Sequence, residues 1–341
     1  MNELTCRKPT IGITFSETVV PSRRPLQIMK RLAQALGILA LIGLGILAWT
    51  FTSAKLDFTP LAAESLPVAA PPAGMTMSAL PTGSMSSNAM FAYRGGSFSN
   101  KREFTMTSFL IRHPKGDLLF DAGFGRNIEA HTQTMPWLMR QITTYKNGRS
   151  IGDQLASNDY PVDKLAGVIL THAHWDHVSG LDSLPPKTPV WVSGAENTFI
   201  SSRSSMTALV NSFPNVNYKE YSFDDGPYLG FSFSYDVWGD GSIVLVPAPG
   251  HTPGSIIAFI SLPTGARYAL LGDLVWQNEG VDIPAERPWL SRRLVREDDE
   301  LVRENIARIA AIHKRFPEIK MIPAHDSIAS GKVPVYPSST R

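Results

Sequence analysis

Between Thr171 and His177 the chain reads THAHWDH, and no other stretch limits so tightly what it can fold into. Four groups able to bind a metal, His172, His174, Asp176 and His177, fall within six positions of a chain with only eight histidines. The run follows AGVIL (166 to 170), a short apolar stretch bounded by polar residues that predicts a buried strand. Residues two apart on an extended chain project to the same side, so His172 and His174 can reach one metal. Asp176 and His177, where the chain turns into the next element, can reach a second beside it.

Three later residues extend the set, each at the end of an apolar strand where a loop would face a common site. His251 lies in PGHTPGS, Asp273 in LLGD and His325 in PAHD. Alone, His251 or His325 would read as a hydrogen-bonded structural histidine and Asp273 as a turn or cap residue. In this order, each after a strand, they read as ligands. His113, His131 and His313 lack such company and are expected at the surface. The single cysteine, Cys6, can build neither a disulfide framework nor a thiolate site, so any metal must be held by His and carboxylate. That donor set suits zinc with a coordination position left open for water.

The rest of the chain predicts an exported domain. Residues 32 to 52 (LAQALGILALIGLGILAWTFT) are uncharged and about long enough to cross a hydrocarbon core of about 30 Å. Arg23, Arg24, Lys30 and Arg31 precede them and only Lys55 follows closely, which places the N-terminus in the cytoplasm and the catalytic domain in the periplasm of a bacterial-type inner membrane. Met29-Lys30-Arg31 with Thr52-Ser53-Ala54 also fits a secretory signal that starts at Met29 and is cleaved to release the domain; the length of the apolar run favours an uncleaved anchor. The expected order is a basic leader (1 to 31), the anchor or signal core (32 to 52), a Pro/Ala-rich extended linker (53 to 75) and a catalytic domain (76 to 341). In that domain, 104–111 and 117–120 predict a strand pair turning at His113-Pro114-Lys115-Gly116, and 242–246, 255–260 and 267–271 three further strands. Leu301, Ile306, Ile309 and Ile312 predict an amphipathic helix over 297–316. Strands grouped with helices between and after them point to helix-covered sheets in layers, an α/β class. With 43% hydrophobic and 18% charged residues the composition is globular, and a net charge of +2 gives no reason to propose a nucleic-acid surface; small molecules are the expected partners, and the membrane through 32 to 52.

The series HxHxDH, then H, D and H, from 172 to 325, resembles the metallo-β-lactamase superfamily over roughly residues 76 to 335. The resemblance implies a four-layer αββα sandwich with two zinc ions, or other divalent metals, at one edge. By position, His172, His174 and His251 would bind the first, Asp176, His177 and His325 the second, and Asp273 would bridge them. Asp121, in LLFDAGFG, falls in a segment where the family's aspartate is structural. A diiron redox branch has Glu where this chain has His174, which argues for hydrolysis.

Within the superfamily, SFLIRHPKGDLLFDAGFG, HAHWDHVSGL, PGHTPGS and PAHD look most like the N-acyl homoserine lactone lactonases. The expected activity is that of a dinuclear zinc hydrolase opening lactone esters, a quorum-quenching reaction for N-acyl homoserine lactones, by attack of metal-bound hydroxide, with Asp176 orienting the nucleophile and shuttling its proton. One departure is Trp276, where lactonases carry a tyrosine whose hydroxyl assists at the substrate carbonyl; an indole offers only an N–H. Glyoxalase II-like thioesterases and phosphotriesterases share the ligand set and remain alternatives, as does a non-catalytic exported metal-binding protein. True β-lactamases generally lack the bridging aspartate. Trp137, Trp175, Trp276 and Trp289 are candidates to line an apolar acyl pocket, and the family's habit of dimerising makes a homodimer an expected assembly.

Overall fold

The computed structural model describes residues 12, 24–62 and 65–341. Cys6 and most of the basic leader lie outside the described residues. A helix, Arg24–Trp49, carries one span apolar enough to cross a membrane, Gln27–Trp49, by length and composition alone; a signal sequence passes the same test. Residues 47–341 form one compact unit.

Two sheets make up that unit. Strands β1 (Thr76–Asn88), β2 (Lys101–Arg112), β3 (Asp117–Phe120), β4 (Thr144–Asn147), β5 (Leu165–Ile169), β6 (Pro189–Ser193) and β7 (Asn217–Tyr221) form the first, in the order β4-β1-β2-β3-β5-β6-β7. Strands β8 (Tyr235–Asp236), β9 (Ile243–Pro247), β10 (Ile256–Ser261), β11 (Arg267–Leu270) and β12 (Ile319–Ile322) form the second, in the order β12-β11-β10-β9-β8. The predicted strand pair is β2 with β3, antiparallel.

Period-two alternation divides the side chains among three apolar layers. Phe109, Ile111, Leu118 and Phe120 of the first sheet meet Leu245, Ala258, Ile260 and Leu270 of the second in the core between them. Leu110, Leu119 and Val168 point the other way, onto Ile128, Leu155 and Val178 of the helices covering the first sheet. Val246, Ile257, Phe259 and Leu271 pack outward on Val302, Ile306, Ile309 and Ile312 of the helix Asp299–Arg315. The order is helix, sheet, sheet, helix. The outer helix starts where the Asp298 side chain accepts from the Glu300 and Leu301 N–H groups, with Asp299 and Glu300 in its first turn and His313, Lys314 and Arg315 in its last, as its dipole favours. Its buried stripe begins at Val302, leaving Leu301, expected on that face, 36% exposed.

The Pro/Ala-rich segment departs from expectation. Its described residues form no regular element up to Thr76, but they pack: the Leu56 N–H donates to Pro284 O (2.7 Å), Ala70 N–H to Asp240 O (2.7 Å), and Arg267 to Pro67 O (3.0 Å). Leu56, Leu61 and Leu66 lie on the outer core. Two N–H groups, one carbonyl and three leucines of the stretch fasten it to the domain.

Leu245 is fully buried between the sheets, whereas Val68 is 94% exposed. Leu245→Ala is expected to cost about 2–5 kcal/mol, and Val68→Ala less than about 0.5 kcal/mol. Urea midpoints followed by tryptophan fluorescence check both; equal costs would contradict the two-sheet core.

Candidate metal centre

β9, β11 and β12 run in one sense, and the residues that follow them meet those that follow β5 at one edge of the sandwich, where Ile256 N–H donates to Thr171 O across the two sheets (3.0 Å). The predicted residues stand there. His172 and His174 follow β5 on extended backbone, and Asp176 and His177 sit in the helical turn Trp175–Val178. His251 follows β9, Asp273 follows β11, and His325 follows β12. Gly272, beside Asp273, has φ 52°, and a Cβ there would come within 2.9 Å of the Thr171 side chain, so the close approach of the two motifs requires glycine.

The structure brings all seven residues together, each between 1% and 8% exposed. The rings of His172, His174 and His251 form a near-equilateral triangle with centroids 4.7, 4.6 and 4.6 Å apart. Asp273 lies between two groups: its Oδ2 is 3.3 Å from His251 Nε2, its Oδ1 3.1 Å from His177 Nε2 and 2.9 Å from His325 Nε2. Asp176 Oδ2 is 3.4 Å from His325 Nε2. Donor atoms of His172, His174 and His251, of His172, His177 and Asp273, and of Asp176, His177 and His325 each lie within 4.8 Å of one another.

The Nε2 atoms of His172, His174, His177 and His251 and Oδ1 of Asp273 are buried with no aligned hydrogen-bond partner. Buried polar atoms are ordinarily paired, and five orphans aimed into one space fit a cation. Five imidazoles and two carboxylates, without thiolate, fit a divalent ion of the zinc type.

The far nitrogens are anchored. His177 Nδ1 is 2.8 Å from Asp121 Oδ2, His251 Nδ1 2.7 Å from Glu297 Oε1, His325 Nδ1 3.1 Å from Thr105 O and His172 Nδ1 3.2 Å from Thr171 Oγ1. Such contacts set the tautomer and turn each Nε2 inward. Asp121, at φ 56°, also accepts from the Thr171 N–H and hydroxyl (2.7 and 2.8 Å). Glu196 ties the first motif to the His251 loop, accepting from Ala173 N–H (2.6 Å), Thr252 Oγ1 (2.7 Å) and Gly254 N–H (3.0 Å). Arg287, 2% exposed, pairs with Glu297 and lies 4.7 Å over the Trp276 ring.

Burial lowers the pKa of His172, His174 and His251, that of His174 to about 3, and keeps them neutral. Burial opposes charge on His177 and His325 too, but Asp121 and Asp273 beside the first and Asp273 beside the second raise both above the ordinary histidine value. For Asp273 burial acts upward and is outweighed by His325 and His177, which hold it well below the usual carboxylate range; Asp176 is raised by burial.

Glu196, Glu297 and Arg287 escape sequence reasoning because their spacing suggests other work. Ser193 and Glu196 read as a capping box, and the Ser193 side chain does accept the Glu196 N–H. Glu297 reads as the start of a surface helix. His113 and His131, expected at the surface, are buried: His113 stacks on Trp238 at 5.5 Å and contacts Asp240, while His131 Nδ1 meets Ser179 Oγ at 2.7 Å. An aromatic face or a hydroxyl meets the needs of an imidazole as well as solvent does. His313 is half-buried, 3.4 Å from Asp282.

A chamber opens onto Asp176, Asp273 and His325, with about 770 Å³ of space including its mouth. Met85, Phe91, Phe104, Met139, Trp276 and Leu294 are among its walls, and no Lys or Arg is among its lining residues. Trp175 and Trp276 line it; Trp137 and Trp289, expected there, do not, and are 66% and 46% exposed. The Trp276 Nε1–H donates to Asp273 Oδ2 (2.8 Å), so it orients a carboxylate and is not free for a substrate carbonyl.

A layered sandwich with a buried His/Asp cluster at one edge defines a metal-dependent hydrolase, and the chain belongs to the metallo-beta-lactamase superfamily, whose family model matches residues 103–313. It is 26% identical to a probable metallo-hydrolase of Mycobacterium tuberculosis over 237 residues, 64% of this chain and 73% of that one. It is 23% identical to the N-acyl homoserine lactonase AttM of Azorhizobium caulinodans over 198 residues, 51% of this chain and 66% of that one. Among solved structures it resembles an N-acyl homoserine lactone hydrolase with the product N-hexanoyl-L-homoserine at its catalytic metal centre (TM-score 0.61, 19% identity, covering 78% of this chain and 98% of that one).

Glu297→Ala removes the partner of His251 Nδ1 and is expected to weaken divalent-metal binding about 10–100-fold, with Glu297→Gln, which keeps an acceptor, falling between it and wild type. Competition with a chromogenic chelator checks this; wild-type affinity in Glu297→Ala would show that the contact does not position His251.

Proposed function

We propose that the protein opens uncharged acyl lactones, N-acyl homoserine lactones being the favoured class, at a dinuclear zinc centre, which would make it a quorum-quenching enzyme. In this reading His172, His174 and His251 would hold one ion, Asp176, His177 and His325 the other, and Asp273 would serve both. When bound, the metals supply Lewis acidity and lower the pKa of water to about 7. The observation that carries the substrate class is the chamber: its walls are mostly apolar with the hydroxyls of Ser87, Thr143 and Ser291 among them, it is free of Lys and Arg, and its ionisable side chains, His174, Asp176, Asp273 and His325, all belong to the metal centre. An acyl chain would fill the walls while the ester lies at the polar end. Asp176 reaches that end and is placed to carry a proton from the nucleophile to the leaving oxygen. Glu297, Asp121 and Thr105 keep the imidazoles from turning as charge develops.

The chamber disfavours an anionic thioester, for which no cationic side chain waits among its lining residues. A neutral phosphotriester is the second reading, favoured by Trp276: its engaged N–H leaves no donor where lactonases place a phenol. The helix Arg24–Trp49 is read as an uncleaved anchor, with the catalytic domain on the periplasmic side.

The deciding experiment is a pH-stat assay of the zinc-loaded full chain with dodecanoyl homoserine lactone, beside a thioester and a phosphotriester. Lactone opening with kcat/KM above about 10⁴ M⁻¹s⁻¹ is expected. A fall of about 10²–10⁴ in kcat is expected for Asp176→Asn, and loss of activity on chelation that zinc restores. Turnover of the phosphotriester with silence on the lactone would move the substrate to the second reading.

A further inference from the structure

Trp137 and Trp289, set outside the chamber, are explained by neither the core nor the centre. Trp137 opens the helix Trp137–Ile142, WLMRQI, in which four of six residues are apolar and none is buried. The same helix lends Met139 and Ile142 to the chamber wall. Trp289 opens the helix Trp289–Val295, which lends Ser291, Leu294 and Val295. A third exposed aromatic, Phe98, is 72% exposed in the β1–β2 connection, which lends Phe91. Each of these three wall segments thus carries a large exposed apolar side chain besides those it lends to the chamber. Exposed apolar residues scattered singly need no explanation, but several around the walls of one pocket do.

The apolar span points to lipid as the occupant. Residues that follow the apolar span directly are fixed to this same wall. Arg94 donates to the Trp49 and Thr52 carbonyls (3.2 and 3.1 Å) and lies 5.0 Å over the Trp49 ring. Phe51 meets Phe91 edge to face at 6.0 Å, and Gly95 N–H donates to Phe51 O (3.0 Å). Ser291 Oγ donates to Phe91 O (2.8 Å), joining the Trp289 helix to that corner. Trp49 ends the span and is 64% exposed, as suits an interfacial tryptophan. The end of the span, Trp49 with Phe51 and Thr52, thus lies against the corner of the chamber that carries Phe91, within the same compact unit.

We propose that the mouth of the chamber rests on the lipid bilayer, with Trp137, Trp289 and Phe98 seated in the interface, so that the enzyme takes membrane-dissolved amphiphilic substrates directly from the lipid. The inference rests on the anchored-lactonase reading and extends it to the route of entry. Each added methylene favours lipid over water by about fourfold, so a dodecanoyl lactone, eight methylenes longer, is enriched in the bilayer about 5 × 10⁴-fold over a butanoyl one. A mouth on the interface draws on that store, and a mouth facing water does not.

The test uses the zinc-loaded full chain in phosphatidylcholine nanodiscs, wild type beside Trp137→Glu/Trp289→Glu, with dodecanoyl and butanoyl homoserine lactones. The double variant is expected to lose at least about tenfold in kcat/KM on the dodecanoyl lactone, because carboxylates resist burial among acyl chains, and to keep its rate on the water-borne butanoyl lactone. Equal losses on both substrates, or none on either, overturn the proposal. A second measurement does not depend on the substrate: brominated acyl chains should quench a larger share of wild-type fluorescence than of Trp137→Phe/Trp289→Phe fluorescence, and an identical share overturns the proposal. Absence of turnover on both lactones by wild type, with that quenching difference present, sinks the lactone reading and leaves the bilayer contact standing.

Discussion

Five imidazoles and two carboxylates gathered out of water are the constraint to which this edge of the molecule answers. Buried ionisable groups are costly unless each is paired or bound. Here the Nδ1 atoms of four histidines are spent on partners in the surrounding fold, which commits the Nε2 atoms to the centre. That commitment explains the glycines at Gly272 and Gly254, where a Cβ would collide with Thr171 and with Glu196. It also explains the left-handed backbone of Asp121: the turn after β3 points both carboxylate oxygens at the neighbouring strand end, so one residue holds Thr171 and His177 together.

How much of this was legible in the sequence depended on whether a residue's role is local. The HxHxDH run was legible because an extended chain and then a helical turn fix which way its four side chains point. His251, Asp273 and His325 were legible because each follows an apolar strand, and parallel strand ends share an edge. Glu196 and Glu297 were not, since a carboxylate at a helix start serves as a cap in most folds and its other partners lie 23 and 46 residues away. Burial of His113 and His131 was invisible for the same reason: their partners, Asp240 and Ser179, are 127 and 48 residues distant. Composition reads the segment before Thr76 as an extended linker and could not show that its leucines pack on the outer core.

Trp276 shows how one indole meets two demands. Its ring forms chamber wall and meets Phe104 edge to face at 6.0 Å, while its N–H holds Asp273. On its other side Arg287 stacks and pairs with Glu297, the partner of His251. A chain of contacts therefore runs Asp273, Trp276, Arg287, Glu297, His251 and closes on Asp273 through the 3.3 Å approach of His251 Nε2. Burial lowers the Arg287 pKa to about 10, which leaves the guanidinium charged at neutral pH and keeps the ring of contacts intact.

That ring also couples stability to the centre. The Asp298 N–H donates to Gly250 O (2.9 Å), and Gly250 meets Val302 so closely that a Cβ would stand 2.7 Å from its backbone nitrogen. The first turn of the outer helix thus sets the height of the His251 loop, and that helix is held by Val302, Ile306, Ile309 and Ile312 against the second sheet. Apolar packing on the back of the molecule therefore fixes where one imidazole stands at its edge. A cavity opened under Ile306 would reach His251 through this helix, because the loop takes its position from Asp298 and Val302 as well as from Glu196.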